Sequence, residues 1–155
     1  MTFVLLAVLV AVGDIFLKNH FEKELQWGEE RRICGGKVLL CRYHNRGVAL
    51  NVFEKRPGII KYFCGGMLLF LGIIWFLISK KKKNLGIRLG LSLLTGGGAG
   101  NLYDRVTRGY VVDYFSFQTS WNWLNRIVFN LSDLAIFLGA FLVSLKGKSF
   151  FGEER

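Results

Sequence analysis

The segment Ile127-Val-Phe-Asn-Leu-Ser-Asp133-Leu-Ala-Ile-Phe-Leu-Gly-Ala-Phe-Leu-Val-Ser-Leu145 is an apolar run interrupted by one carboxylate, Asp133. Its length matches the roughly 20 residues with which a helix crosses a bilayer. An ionisable group inside such a run is costly, and it marks a functional site by default. The other aspartates follow the same pattern, because Asp14, Asp104 and Asp113 lie at or just beyond the ends of apolar runs.

Three further runs complete the set, at residues 2–17, 62–79 and 85–103. The first is broken only by Asp14 and the second holds no charge. The third carries Arg88 near its start, where a long side chain reaches the interface. With residues 127–145 they predict a mainly α membrane protein with four transmembrane helices, joined by long loops at about 18–61 and 104–126. Composition agrees. Across 155 residues, 52% are hydrophobic and 15% aromatic, with mean hydropathy +0.34. That excludes an ordinary soluble domain, and the length suits one membrane domain over residues 1–155. The N-terminus has no basic region before its apolar stretch and no small-residue cleavage site before Asp14, and it reads as a retained helix.

The net charge of +10 comes from Lys and Arg clustered beside apolar runs, so anionic lipid headgroups are the expected partner and nucleic acid is not. Lys80 to Lys83 form the whole second connection, and Lys146 and Lys148 follow the fourth run. By the positive-inside tendency both termini face the cytoplasm, although the first loop also carries basic residues, partly offset by Glu. In either orientation, odd spans end and even spans begin on one face. Asp14, Lys18, Asn101, Asp104, Arg105, Asp113, Asn130 and Asp133 therefore gather there. A helix running from Arg126 would carry Asp133 roughly 10 Å into the membrane at 1.5 Å per residue.

The long loops fall on the same face. Lys37-Val-Leu-Leu-Cys-Arg-Tyr43 and Val48-Ala-Leu-Asn-Val-Phe53 read as strands around an Asn45-Arg46-Gly47 turn, and suggest a small sheet resting on the membrane. Gly109 to Phe117 is rich in β-branched and aromatic residues, and Trp121 and Trp123 suit the headgroup belt. Three cysteines do not make a disulfide framework; Cys34 and Cys41 either pair in an extracytoplasmic loop or stay free.

Two carboxylates sharing one site do not both ionise cheaply, so one keeps a proton. Asp113 and Asp133 in that arrangement supply a general base for water and a general acid for a leaving amine, which is peptide hydrolysis without a covalent intermediate. The bland alternative is that Asp133 caps its helix or pairs with Arg126 or Lys18. Gly96-Gly97-Gly98-Ala99-Gly100 permits close helix packing, or close approach of a substrate to the backbone. Asn101 offers an amide. Asp104 and Arg105 read as a structural ion pair. Asp14 and Lys18 pair at i, i+4, or else Lys18 holds a lipid phosphate. No metal or cofactor is expected: His20 and His44 are far apart, the His-Glu-x-x-His pattern is missing, and no phosphate-binding loop occurs.

In order, these residues resemble the lipoprotein signal peptidase (signal peptidase II) family in five blocks from Asp14 to about Gly139. Asp14-Ile-Phe-Leu-Lys18 resembles the first, with Ile15 where Gln is usual. Asn45-Arg-Gly-Val-Ala-Leu50 resembles an Asn-x-Gly-Ala-Ala-Phe block, with Val48 and Leu50 departing. Gly97-Gly-Ala-Gly-Asn-Leu-Tyr-Asp-Arg105 is similar to a Gly-Asn-Leu-Ile-Asp-Arg block. Gly109-Tyr-Val-Val-Asp113-Tyr and Phe129-Asn-Leu-Ser-Asp133 resemble the blocks that hold the catalytic aspartates, with Tyr114 where Phe is usual and Ser132 where Ala is usual.

The resemblance implies an aspartic endopeptidase of the bacterial inner membrane, with its site near the extracytoplasmic face. Its substrate is a prolipoprotein whose cysteine carries diacylglycerol, and it cuts just before that cysteine. It implies four transmembrane helices with an extracytoplasmic β-cradle and a small helix closing over the site. Asp113 and Asp133 take the dyad. Asn45, Asn101, Asp104, Arg105 and Asn130 take supporting and substrate-positioning roles, with Asp14, Lys18 and Gly47 in the supporting set. One copy suffices to build this site, so a monomer is expected. Two other classes compete. A proton-coupled carrier would need polar groups near the midplane of repeated halves, which residues 62–79 do not offer. A non-catalytic binder of signal peptides would keep the shape without the reaction.

Overall fold

The computed structural model describes residues 2–47, 57–79 and 85–152. Four long helices, α1 (Thr2–Glu24), α2 (Pro57–Ser79), α3 (Leu85–Thr107) and α4 (Leu131–Gly152), accompany three strands, β1 (Glu30–Ile33), β2 (Val38–Asn45) and β3 (Val111–Phe117). Two of the helices are long and apolar enough to cross a membrane by length and composition, Thr2–Glu24 and Gly58–Ile78. In α3 the glycines and polar side chains that dilute its hydropathy are also what let it pack.

α3 is the central helix. A Cβ added to Gly96 would lie 2.6 Å from the carbonyl oxygen of Ala7 on α1, and one added to Gly97 would lie 2.5 Å from that of Ser132 on α4. Further along, a Cβ on Gly90 would meet the Gly139 carbonyl at 2.7 Å. Small residues thus bring backbones together where lipid supplies no hydrophobic drive for helices to associate. The outward faces are hydrocarbon: Val4, Leu9 and Phe16 on α1, Phe63, Leu69 and Phe70 on α2, and Phe137 and Phe141 on α4 are all exposed.

The strands form one antiparallel sheet in the order β1-β2-β3. β2 pairs with β3 from Val38↔Phe117 to Asn45↔Val111, with an irregularity between Leu40 and Tyr43. The run from Lys37 to Tyr43 therefore is a strand, but its partners are β1 and β3. Asn45 ends the strand and Gly47 follows in a bend. The Val48–Phe53 run and the Lys80–Lys83 connection lie outside the described residues. β1 pairs Ile33↔Val38 and Glu30↔Cys41. Cys41 is thus three residues along β2 from the rung beside Cys34, roughly 10 Å at 3.3 Å per residue, which is too far to bridge. Both thiols are free.

The fourth helix begins later than its hydropathy indicates. Tyr114 and Phe115 both donate their backbone N–H to the Phe129 carbonyl, at 3.0 and 3.1 Å, and Phe129 donates back to Phe115 at 2.7 Å. The stretch before α4 is consequently extended against β3, and Asp133 lies in the first turn of α4. The depth expected for a helix running from Arg126 does not apply, because backbone pairing outcompetes helix continuation there. The chain's return along β3 is what carries Asp133 to Asp113.

Candidate active site

Every α-helix starts with unsatisfied N–H groups, and the start of α4 satisfies its own from three directions. Leu131 donates to the Tyr114 hydroxyl at 3.1 Å. Ser132 donates to Asp14 Oδ1 at 2.9 Å, across from α1. Asp133 donates to Asn130 Oδ1 at 2.9 Å, while Asp133 Oδ2 accepts from the Asn130 N–H at 3.1 Å. The last pair is a reciprocal capping box. Asp133 does cap its helix, then, but with one oxygen only. Its other oxygen accepts from the Asn101 amide at 2.9 Å.

Asp113 comes from β3 and is 1% exposed. Its Oδ1 accepts from the Asn130 amide at 2.6 Å and its Oδ2 from the Asn45 amide at 3.1 Å. Asn130 therefore touches both carboxylates, Asp113 through its side chain and Asp133 through its backbone. Burial, and next the neighbouring Asp133, push the Asp113 carboxyl up to about 7. Burial also keeps the Tyr114 phenol above its ordinary range, so its hydroxyl stays neutral.

Below the two carboxylates lies a buried charge cluster. Lys18 Nζ is 2.6 Å from Asp14 and 3.4 Å from Asp104, with all three side chains fully buried. Lys18 also donates to Asn101 Oδ1 at 2.7 Å, and Asn130 donates to the same oxygen at 3.2 Å. With its carbonyl oxygen occupied by two donors, the Asn101 amide has one orientation, NH₂ toward Asp133. So enclosed a lysine does not hold a lipid phosphate, and its hydrogen bond to Asn101 links it to Asp133.

Asp104 turns away from its sequence neighbour Arg105. Its carboxylate accepts from the Val112 N–H at 3.0 Å and pairs with Arg108 at 3.0 Å, one turn along α3. Arg105 instead donates to the carbonyls of Gly47 at 3.0 Å and Asn101 at 3.3 Å. Gly47 N–H donates to Asn45 Oδ1 at 3.1 Å. The ten residues expected in the site from the sequence thus belong to one connected network. Missed by that reading were Tyr114 and Ser132 as helix-start partners, and a second hub around Glu22. Glu22 accepts from Arg108 and from Tyr110 (3.0 Å), and lies 2.8 Å from His44 Nε2. The i, i+4 spacing of Asp104 and Arg108 was a usable signal.

The network opens onto a cavity of about 630 Å³ between α2, α3 and α4. Its polar lining is Asn45, Asn101, Arg105 and Asp133, and the rest is largely apolar, with Phe63, Met67, Leu68, Leu94 and Ile136 among it. An acid that lines an apolar cavity and is joined through Asn130 to a second acid can activate water against a bond held at the end of a greasy substrate.

Residues 6–147 match the family described as Signal peptidase (SPase) II. The lipoprotein signal peptidase of Serratia marcescens is 41% identical over 108 residues, covering 67% of this chain and 62% of that protein, less than two thirds of its length. That of Vibrio parahaemolyticus is 31% identical over 148 residues, 92% of this chain and 85% of that one. That of Streptococcus pneumoniae is 28% identical over 137 residues, 88% and 86%. Two solved structures of bacterial membrane enzymes share the fold, with TM-scores of 0.79 and 0.80 at 23% and 24% identity; they cover 96% and 93% of this chain and 89% and 90% of theirs.

Proposed function

The chain belongs to the signal peptidase II family, and on that premise we propose that it is the aspartic endopeptidase that removes signal peptides from diacylglyceryl-modified prolipoproteins, cutting before the lipidated cysteine. The observation that carries the reading is Asn130 joining Asp113 to Asp133, whose side chain lines a largely apolar cavity. Water held between the carboxylates attacks the scissile carbonyl and gives a proton to Asp133, which lines the cavity at the start of α4. The more enclosed Asp113, raised to about 7, holds the proton. It polarises the carbonyl oxygen, then protonates the amine nitrogen as the carbon–nitrogen bond breaks. The pair titrates as a unit. Asn45 and Asn130 orient Asp113. Asn101, fixed by Lys18, orients Asp133. Arg105 holds Gly47 beside the cavity mouth. Asp14 and Asp104 keep Lys18 in place.

All four helices cross the inner membrane as one domain over residues 1–155, with the sheet as an extracytoplasmic cradle. The charged Lys80–Lys83 connection and Lys146 favour cytoplasmic termini, and the dyad lies at the opposite ends of the spans. A substrate held in the bilayer by about 0.8 kcal/mol per buried CH₂ does not leave it, so its scissile bond has to be met at the interface. One copy contains every group the reaction uses, and the enzyme acts as a monomer among lipids.

The test is incubation of purified protein with a diacylated precursor peptide, followed by detection of the cut fragment. Asp113→Asn and Asp133→Asn are each expected to lower kcat by about 10²–10⁴, the range for removing a general acid or base. Full activity in either variant would sink the dyad.

A further inference from the structure

Asn130 joins the two carboxylates, and one residue grips the chain on either side of it. Tyr114 donates its backbone N–H to the Phe129 carbonyl at 3.0 Å. Its hydroxyl accepts from the Leu131 N–H at 3.1 Å. Tyr114 also follows Asp113 directly in the chain. The backbone of one acid is thus tied, through a single side chain, to the first turn of the helix that carries the other.

Two jobs separate within that side chain. The ring packs: it is buried and stacks on Phe21 of α1, with centroids 4.6 Å apart and planes 19° from parallel. A phenylalanine would do the same. The hydroxyl is what packing does not require, because a buried polar group costs free energy unless it is hydrogen-bonded. Its partner is the N–H that opens α4, beside those of Ser132 and Asp133, which Asp14 and Asn130 take. Burial, with Asp14, Asp133 and Asp113 acting in the same direction, keeps the phenol neutral. It is therefore the same acceptor throughout the range in which the dyad titrates. Tyr114 lies outside the lining of the cavity, so it acts through the turn it holds and not on the substrate. We propose that Tyr114 is a positioning residue for the reaction: its hydroxyl pins the start of α4 to β3 and so fixes how closely Asp133 approaches Asp113. This rests on the endopeptidase reading above and adds to it what sets the spacing of the two acids.

The test compares the parent with Tyr114→Phe, which keeps the ring and removes the hydroxyl, and with Phe21→Leu, which strips the stack and leaves the hydroxyl. Melting temperature, kcat, KM and the pH profile are measured, the last three on a diacylated precursor peptide. Tyr114→Phe is expected to lower kcat about tenfold, in keeping with one N–H left unpaired. KM should stay within about twofold of the parent, the pattern of an interaction that matters only in the transition state. Asn130 still bridges the acids, so activity is reduced and not abolished. With the carboxylates held less closely, ionising both costs less. The basic limb of the profile, where the shared proton is lost, then moves to lower pH. Phe21→Leu should melt below the parent yet keep its kcat and its basic limb. Parental kcat in Tyr114→Phe, or a loss with the basic limb unmoved, would overturn the proposal. The same kinetic changes in Phe21→Leu would overturn it too, since the ring's packing would then be what places the acids. A parent that cleaves no precursor would instead refute the endopeptidase reading.

Discussion

Asp113 is a carboxyl that the fold keeps short of charge. Its usual value near 3.9 applies when the chain is unfolded, and in the folded protein burial and the Asp133 charge raise it to about 7. Between those limits the native state binds the extra proton. Its contribution to stability is then fullest below about pH 4 and declines as pH rises toward 7, the sign required when the folded form binds more protons. Denaturation of the detergent-solubilised protein at several pH values should show that negative slope, and Asp113→Asn, which does not titrate, should flatten it. An identical slope in the variant would mean that Asp113 is not the group held protonated. Lys18 illustrates the opposite case at the same scale. A fully buried ammonium is tolerable only because Asp14, Asp104 and Asn101 surround it.

Between elements, the separation of α3 and α4 is set by missing side chains. Gly97→Ala would drive a methyl to 2.5 Å from the Ser132 carbonyl and 2.9 Å from Ile136 Cγ1. Overpacking of this kind costs about 1–3 kcal/mol, and here it pushes on the very turn that carries Asp133. A lower melting temperature and lower turnover are expected for Gly97→Ala, whereas Gly98→Ala next to it, which among the described residues meets only the flexible tip of Leu68, should melt like the parent. Equal melting of both variants would refute the close-packing argument. The glycine run itself was legible from sequence, but the direction each glycine faces was not, since composition carries no azimuth. Strand β2 was legible in its apolar residues. β1 was not, because Glu30-Arg-Arg-Ile33 is exposed throughout and lies at the sheet edge, where no burial pattern forms. The start of α4 was misread for a related reason. Ile127-Val-Phe129 is as apolar as a helix interior, and only its long-range pairing with β3 makes it extended. The residues of the site could be named from their spacing and from the family blocks, while partner choice, such as Asp104 with Arg108 and Lys18 where Arg105 was expected, depends on the fold.

Across the whole molecule polarity is inverted: Asp14, Lys18, Asp104, Asp113 and Asn130 are buried while α1, α2 and α4 turn hydrocarbon outward. Polar contacts therefore do much of the joining, and Glu22 near the end of α1 joins several parts. It reaches His44 and Arg42 on β2, Arg108 just beyond α3, and Tyr110 before β3. His44 stacks on Tyr110 with ring centroids 3.8 Å apart, and burial lowers its basicity, so it meets Glu22 as a neutral ring near pH 7. His44 precedes Asn45, the amide donor to Asp113. The sheet's attachment and the dyad's alignment therefore share one strand. Glu22→Gln keeps the shape but removes the charge, and hydrogen bonds to a charged group are worth about 1.5–3 kcal/mol. Amide exchange should quicken in β2 and β3 while α3 and α4 hold their protection, and kcat should fall several-fold with little change in KM, because Asn45 is displaced rather than lost. Exchange unchanged in the strands, or quickened equally in the helices, would show that Glu22 does not anchor the sheet to the bundle.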